Sequence, residues 1–335
     1  MKQINQQFIA IILIAAPFIA FIVCLGLGRY QISPIDTLLA LSAPLSGAET
    51  DPAAVSVIFS VRLPRLLLAF ACGAGLSVAG AAFQALFGNP LATPDTLGVA
   101  TGASFGAVIM LLFSNNMLLV QAAALVSGLA ALLITCAISR LNGRTSIIMV
   151  VLSGMVVSAL CQALVSLVKY VADPEDQLPA ITYWLMGSMA RATSGSLLLG
   201  VPFIAIGIGL LLLLRWRLNI LSLQEDEARS LGIDVRKTRW IVMVASTMIT
   251  ASCVSMCGQV GWIGLLIPHA ARMLCGSDNK KILPVSIFMG ATFMIIIDTF
   301  ARAATAAEIP VSILTAVIGA PFFIMLLRQT GGAKL

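Results

Sequence analysis

The chain has 335 residues, of which 59% are hydrophobic and only 10% charged, with a mean hydropathy of +1.03 and a formal net charge of +6. A soluble domain of ordinary composition carries about 25% charged residues, so this chain lacks the charge to coat a soluble core of its size. The positive balance is no nucleic-acid signal either, because the basic residues gather at the ends of apolar runs, where they set membrane topology.

Uncharged stretches cover 3–28, 66–94, 96–139, 145–168, 192–214, 240–271, 282–297 and 309–327. A spanning helix needs about 20 mostly apolar residues. The runs 96–139 and 240–271 are each long enough for two helices and the others for one. These runs lack barrel alternation, and only helices or closed barrels satisfy the backbone in lipid. The expectation is an all-α polytopic membrane protein of about ten spans, forming one domain over 1–335.

With Lys2 inside, the spans thread in order. The first covers 8–28 and is read as a retained helix, because its apolar stretch is too long for a typical signal peptide. An outer loop, 29–60, precedes the second span, 64–87. After a short inside loop, Gly88–Asp95, spans three and four take 96–113 and 117–139. An inside turn, Arg140–Thr145, leads to the fifth span, 146–169. The loop Tyr170–Ala190 lies outside, and the sixth span is 193–214. Two spans share 240–271, where Gly258, Gly261, Gly264 and Pro268 also allow a single short or broken helix. The last two spans are 282–299 and 309–327. Both termini fall inside, and fourteen basic residues then lie inside against six outside, as the positive-inside rule requires.

Between spans six and seven lies a charged island, 215–239, with ten charges in 25 residues. Leu218, Leu221, Leu223, Ala228, Leu231 and Ile233 alternate there with Glu225, Asp226, Glu227 and Arg229, and Gly232 supplies a stop. The pattern predicts two short helices along the membrane surface. Three clustered acids suit an anionic inner leaflet poorly and a protein groove better.

Glycine and alanine pepper spans two and three, and Gly102 with Gly106 forms a small-xxx-small pair, which lets helix backbones approach closely in lipid. Arg62, Arg65 and Arg302 sit outside, against the topological preference. Local pairing is one account, with Asp298 four residues before Arg302; docking of an acidic partner is the other. Asp298 and Glu308 lie near the outer interface, and no chain of titratable groups crosses the core, which argues against ion coupling. The seven cysteines fall almost wholly in apolar runs without a Cys-x-x-Cys pair and read as core residues. His269 stands alone, so no metal site is expected. No phosphate loop, Gly-x-Ser-x-Gly elbow or His-Glu-x-x-His motif is present, and no catalytic residue is assigned.

Several longer motifs occur in a fixed order. They are Arg62-Leu63-Pro64-Arg65; Gln84 to Gly98, reading QALFGNPLATPDTLG; Tyr183 to Ser188, reading YWLMGS; Asp226 to Ile233, reading DEARSLGI; Gly261 to Arg272, reading GWIGLLIPHAAR; Asp298 to Arg302, reading DTFAR; and Glu308 to Phe322, reading EIPVSILTAVIGAPF. With these motifs the chain resembles, over essentially its whole length, the permease subunits of bacterial ABC importers for iron–siderophore complexes, haem and vitamin B12. The resemblance implies a ten-helix permease in the bacterial inner membrane. It implies a dimer with a second permease copy and two cytoplasmic ATPase subunits, which would hold the ATP and Mg that this chain does not. A periplasmic or lipid-anchored binding protein would deliver the chelate. By the same resemblance, coupling to the ATPase falls on Leu223, Gln224, Glu225, Asp226, Glu227, Ala228, Arg229, Leu231 and Gly232. Docking of the binding protein falls on Arg62, Arg65 and Arg302, and an inner gate on Thr145 and Ser146.

Overall fold

A computed structural model describes residues 2–46, 51–141, 144–145, 147–221, 225–305 and 307–329. Its helices are α1 (Lys2–Gly26), α2 (Pro34–Ser46), α3 (Pro52–Ser56), α4 (Leu63–Phe87), α5 (Val99–Phe113), α6 (Met117–Ile138), α7 (Ile147–Val171), α8 (Gln177–Leu185), α9 (Ser194–Ile220), α10 (Glu225–Ser230), α11 (Val235–Cys257), α12 (Ile263–Cys275), α13 (Asn279–Ala303) and α14 (Val311–Gln329). A two-residue ladder, β1 (Arg140–Leu141) with β2 (Arg144–Thr145), pairs Arg140 with Thr145 and Leu141 with Arg144.

Six helices are long and apolar enough to cross a bilayer: Pro52–Phe87, Met117–Ile138, Ile148–Val171, Ser194–Ile220, Val235–Cys257 and Asn279–Ala303. Ten crossings would require the shorter apolar stretches of α1, α5, α12 and α14 as well. α12, with 13 residues, is only about 20 Å long, shorter than the roughly 30 Å hydrocarbon core. The glycines flanking it in sequence account for that: α11 ends at Gly258 (φ 72°) and α12 begins after Trp262 (φ 72°). The run 240–271 is therefore two helices separated by a break.

The outer loops are more helical than their Pro, Ser and Asp content suggests. The segment 29–60 carries α2 and α3, and α3 continues through a π-helical turn, Val57–Arg62, into α4. The result is a continuous 36-residue helix, Pro52–Phe87. The segment 170–190 carries α8.

The helix α4 is the axis of the chain. In its most apolar stretch 83% of residues are buried, against 28% in α7 and in α9. It packs on α13, α11, α9 and α12, and small residues make that possible. A Cβ on Gly73 would stand 2.2 Å from the Gly290 carbonyl oxygen of α13, and one on Gly80 would stand 1.9 Å from the Gly264 oxygen of α12. Without a hydrophobic drive between helices in lipid, such close backbone approach is what holds them. Gly102 and Gly106 play the same part between α5 and α6, against Ala131, Ser127 and Ala123. The small-residue faces are thus packed inside one subunit.

Candidate functional site

The charged island divides into four pieces. Residues 215–220 complete α9, α10 is a single six-residue helix, 231–234 form a cap, and 235–239 begin α11. One short helix stands where the pattern predicts two, because Asp234 caps α11 at once: its side chain accepts from the Lys237 N–H at 2.9 Å. The end of α10 is a left-handed glycine cap. Gly232 has φ 75°, and the Ile233 N–H reaches back to the Ala228 carbonyl, the pattern in which glycine stops a helix at no Cβ cost. Ala228 and Ile233 are buried beneath this cap, whereas Glu227, Leu231 and Gly232 face outward. Leu231 is 60% exposed, an apolar side chain held out beside an acid. Leu223 and Gln224 lie outside the described residues, as do the side chains of Glu225, Asp226 and Arg229.

The base of the island is tied to α13. The Asn219 amide donates to Asp278 Oδ1 at 2.7 Å, and its oxygen accepts from the Asn279 N–H at 2.8 Å. Asp278 is in turn the N-cap of α13, accepting from the Lys280 N–H at 3.0 Å. The Asn219 amide, with the Lys280 N–H, holds the Asp278 carboxyl below its ordinary pKa. The end of α9 is thereby joined to the start of α13, and α10 itself packs on α11. Substituting Asn219→Ala should cost about 1–3 kcal/mol, since it orphans half-buried groups; a thermal midpoint of the purified protein equal to wild type would show that the tie carries no load.

At the opposite end, the three arginines turn inward. Arg62, Arg65 and Arg302 are 2%, 3% and 7% exposed, and Asp298 is fully buried. Arg65 grips Asp298 through Nη2 at 2.8 Å and Nε at 3.2 Å, and reaches Glu308 Oε1 with Nη1 at 2.7 Å. Arg302 lies 3.8 Å from Asp298 through Nε and donates from Nη2 to the Cys24 carbonyl at 2.5 Å. Arg62 donates from Nη1 to the Leu25 carbonyl at 2.5 Å and from Nη2 to the Tyr30 carbonyl. The last carbonyls of a helix have no partner within it, so Arg62 and Arg302 cap α1. Gly28 leaves them room: a Cβ there would meet Arg62 Nη2 at 2.8 Å and Arg302 Nη1 at 3.0 Å. Local pairing, one of the two accounts open from the sequence, therefore holds these guanidiniums. The pairing expected between Asp298 and Arg302 is present but long, and the stronger grip on Asp298 comes from Arg65.

The YWLMGS motif has a structural reason. Ser188 N–H donates to the Cys257 carbonyl at 2.9 Å, and the Gly187 carbonyl accepts from the Val311 N–H at 3.0 Å. One loop thus fixes both the end of α11 and the start of α14. The expected gate sits on the ladder before α7: Thr145 is in β2, its side chain is not among those described, and Ser146 lies outside the described residues. Cys72 and Cys257 bring their sulfurs to 3.9 Å in the core, and the cysteines are unpaired. No group of three or more His, Cys, Asp or Glu that could hold a metal ion occurs among the described residues.

Two features escape the sequence patterns. Trp262 is the one non-glycine among the described residues with positive φ, an outlier for a bulky side chain, and its ring packs where a Cβ on Gly319 of α14 would stand, 3.0 Å away. Beside it, at the break between α11 and α12, lies a cavity of about 210 Å³. Asp95, expected in an inside loop, lines this cavity together with Leu76, the middle of α4. The chain after Gly88 therefore turns back between the helices before α5 begins.

The FecCD transport family matches residues 13–329. The chain is 42% identical over 306 residues to the molybdate import system permease protein MolB of Haemophilus influenzae, covering 91% of this chain and 90% of that one. It is 37% identical over 292 residues to the cobalamin import system permease protein BtuC of Halobacterium salinarum, covering 87% and 78%. It is 36% identical over 293 residues to the hemin transport system permease protein HmuU of Yersinia pestis, covering 85% and 87%. An inward-facing structure described as a metal-chelate type ABC transporter superposes with a TM-score of 0.87 at 38% identity, covering 96% of this chain and 99% of that one. Matches of this extent to both sequences and a structure place the whole helical body, from α1 to α14, in one lineage: the chain belongs to the FecCD transport family of ABC-transporter permease subunits.

Proposed function

We propose that this chain is a single permease domain of ten spans with both termini in the cytoplasm. It carries a metal chelate, such as an iron–siderophore complex, haem or a corrinoid, across the bacterial inner membrane by alternating access. The observation that carries this reading is α10: a capped helix beside an outward-facing apolar residue, packed on α11 and following α9, which is tied to α13, in a chain with no nucleotide-binding motif of its own. Two ATPase subunits would seat the segment Leu223–Gly232 in a groove, and their closure on ATP and Mg would move the three helices as a unit. A second permease copy would complete the passage, with the exposed faces of α7 and α14 lining it. Ile148, Leu152, Met155 and Val156 on α7, and Ile313, Val317 and Ile318 on α14, stand exposed in the single chain. They offer a smooth apolar wall that holds no bulky cargo tightly. Thr145 and Ser146, which precede α7 in the sequence, would narrow its inner end. A binding protein would dock on the outer face, whose shape the buried arginines set.

Replacing Glu225 to Arg229 by a neutral linker tests the reading. The helical body should remain folded, while transport and its coupling to ATP hydrolysis fall to background; transport at the wild-type rate would refute the assignment. Uptake that persists without the ATPase and collapses with an ion gradient would instead identify a secondary transporter.

A further inference from the structure

The cavity at the break between α11 and α12 carries a chemistry that the charged island and the outer cluster do not. It is level with Leu76 at the middle of α4, and Gly264, at the start of α12, lies against the same turn of α4. Asp95 is the one charged residue among the described residues lining it, and it is exposed in the single chain. A carboxylate at mid-depth is not stable against lipid, so the mouth of the cavity opens onto water or onto a second copy.

Two side chains of the wall have given a proton elsewhere and can accept from the cavity side. Thr101 gives its hydroxyl proton to the Gly98 carbonyl at 3.1 Å, and Gln259 gives an amide proton to Ser104 Oγ at 2.8 Å. Both keep an oxygen for the cavity. Thr250 is 2% exposed, and its Oγ has no partner among the described residues. The end of α11 aims its negative pole at the break. The opposing pole of α12 is largely consumed locally, since the Leu265 and Leu266 N–H groups both return to the Trp262 carbonyl. The carbonyl end of a half-helix at mid-membrane coordinates cations in other transport folds for this electrostatic reason.

We propose that this cavity binds a hydrated monovalent alkali cation, held by Asp95 with Thr250, Thr101 and Gln259. The volume leaves room for the ion and part of its shell, at roughly 30 Å³ per water. Hydroxyl, amide and carboxylate oxygens are the donors that hard cations take. The assignment of the mouth to a passage rests on the proposed function; the site itself does not.

The experiment uses the permease assembled with its ATPase in lipid nanodiscs. Its thermal midpoint is followed against NaCl and KCl, with N-methylglucamine chloride holding ionic strength constant. A ligand that binds only the folded state raises the midpoint saturably. The wild type should show such a rise with one alkali cation. Asp95→Asn should abolish it, and Thr250→Val should weaken the apparent affinity about tenfold, the loss of one buried oxygen donor. Both variants keep the shape of the side chain, and the readout is the cation dependence of each protein rather than its absolute stability. A wild-type midpoint indifferent to the identity of the cation, or an unchanged rise in the Asn variant, would overturn the site. Failure of the ATPase to assemble would count against the proposed function alone, and the titration would then be run on the permease by itself.

Discussion

Asp298→Ala should destabilise the folded permease by about 3–5 kcal/mol, the usual cost of leaving buried charge without its partner. The carboxylate is fully buried and faces two guanidiniums, Arg65 and Arg302, themselves almost wholly buried. Removing it leaves both charges facing each other in a space that admits little water. The damage then spreads, because Arg302 also caps α1 at Cys24 and Arg65 also holds Glu308 at the approach to α14. The measurement is the yield and thermal midpoint of detergent-extracted protein. Arg65→Ala should behave alike, since it strips both Asp298 and Glu308. If either variant were extracted at wild-type yield and midpoint, and had lost only affinity for a binding protein, the cluster would be a docking surface and not a structural clamp. Replacing Arg65 and Asp298 together by a Met and Leu pair should recover part of the loss, as apolar replacements of buried ion pairs often do.

Gly80→Ala is expected to be nearly as severe. A methyl group there would lie 1.9 Å from the Gly264 carbonyl oxygen, and the nearest atoms are all backbone. No side-chain rotation relieves the contact, so α4 and α12 must separate. Overpacking of a close-fitting core commonly costs about 1–3 kcal/mol. The cost here falls on the shortest of the apolar inner helices, which also walls the cavity. The expected result is a lowered midpoint together with loss of transport. An unchanged midpoint would mean that α12 is free to slide outward along α4. Gly232→Ala is the contrast: nothing stands within 4 Å of its missing side chain, and only the left-handed backbone is strained.

The helical body was legible because lipid forces long uncharged runs, and a run of 44 residues has few other uses. The break at 258–262 was legible too, from its glycines. The partners of the arginines were legible only in part. Spacing reveals Asp298 and Arg302 one turn apart, whereas the grip of Arg65 on Asp298 spans 233 residues, and no local pattern carries it. A charge after a turn signal usually lies in water, so the pattern alone puts Asp95 in a loop. The re-entrant path that carries it inward is set by packing: Gly154 of α7 has room for no side chain, lying 2.0 Å from the Thr96 oxygen when a Cβ is built. The extent of α10 was blurred by Asp234, which reads as one more charge of the island but acts as the cap that starts the next helix.

The capping of α1 has a consequence for how the protein is made. The helix α1 leaves the ribosome well before its caps: it ends in carbonyls whose partners are Arg62 and, 278 residues after Cys24, Arg302. At about 5–20 residues per second, tens of seconds separate the synthesis of the helix from the arrival of its second cap. During that time α1 is complete in length but open at its C-terminal end. Chains that stop before Arg302 lack the group that caps the Cys24 carbonyl and leave this end of α1 open.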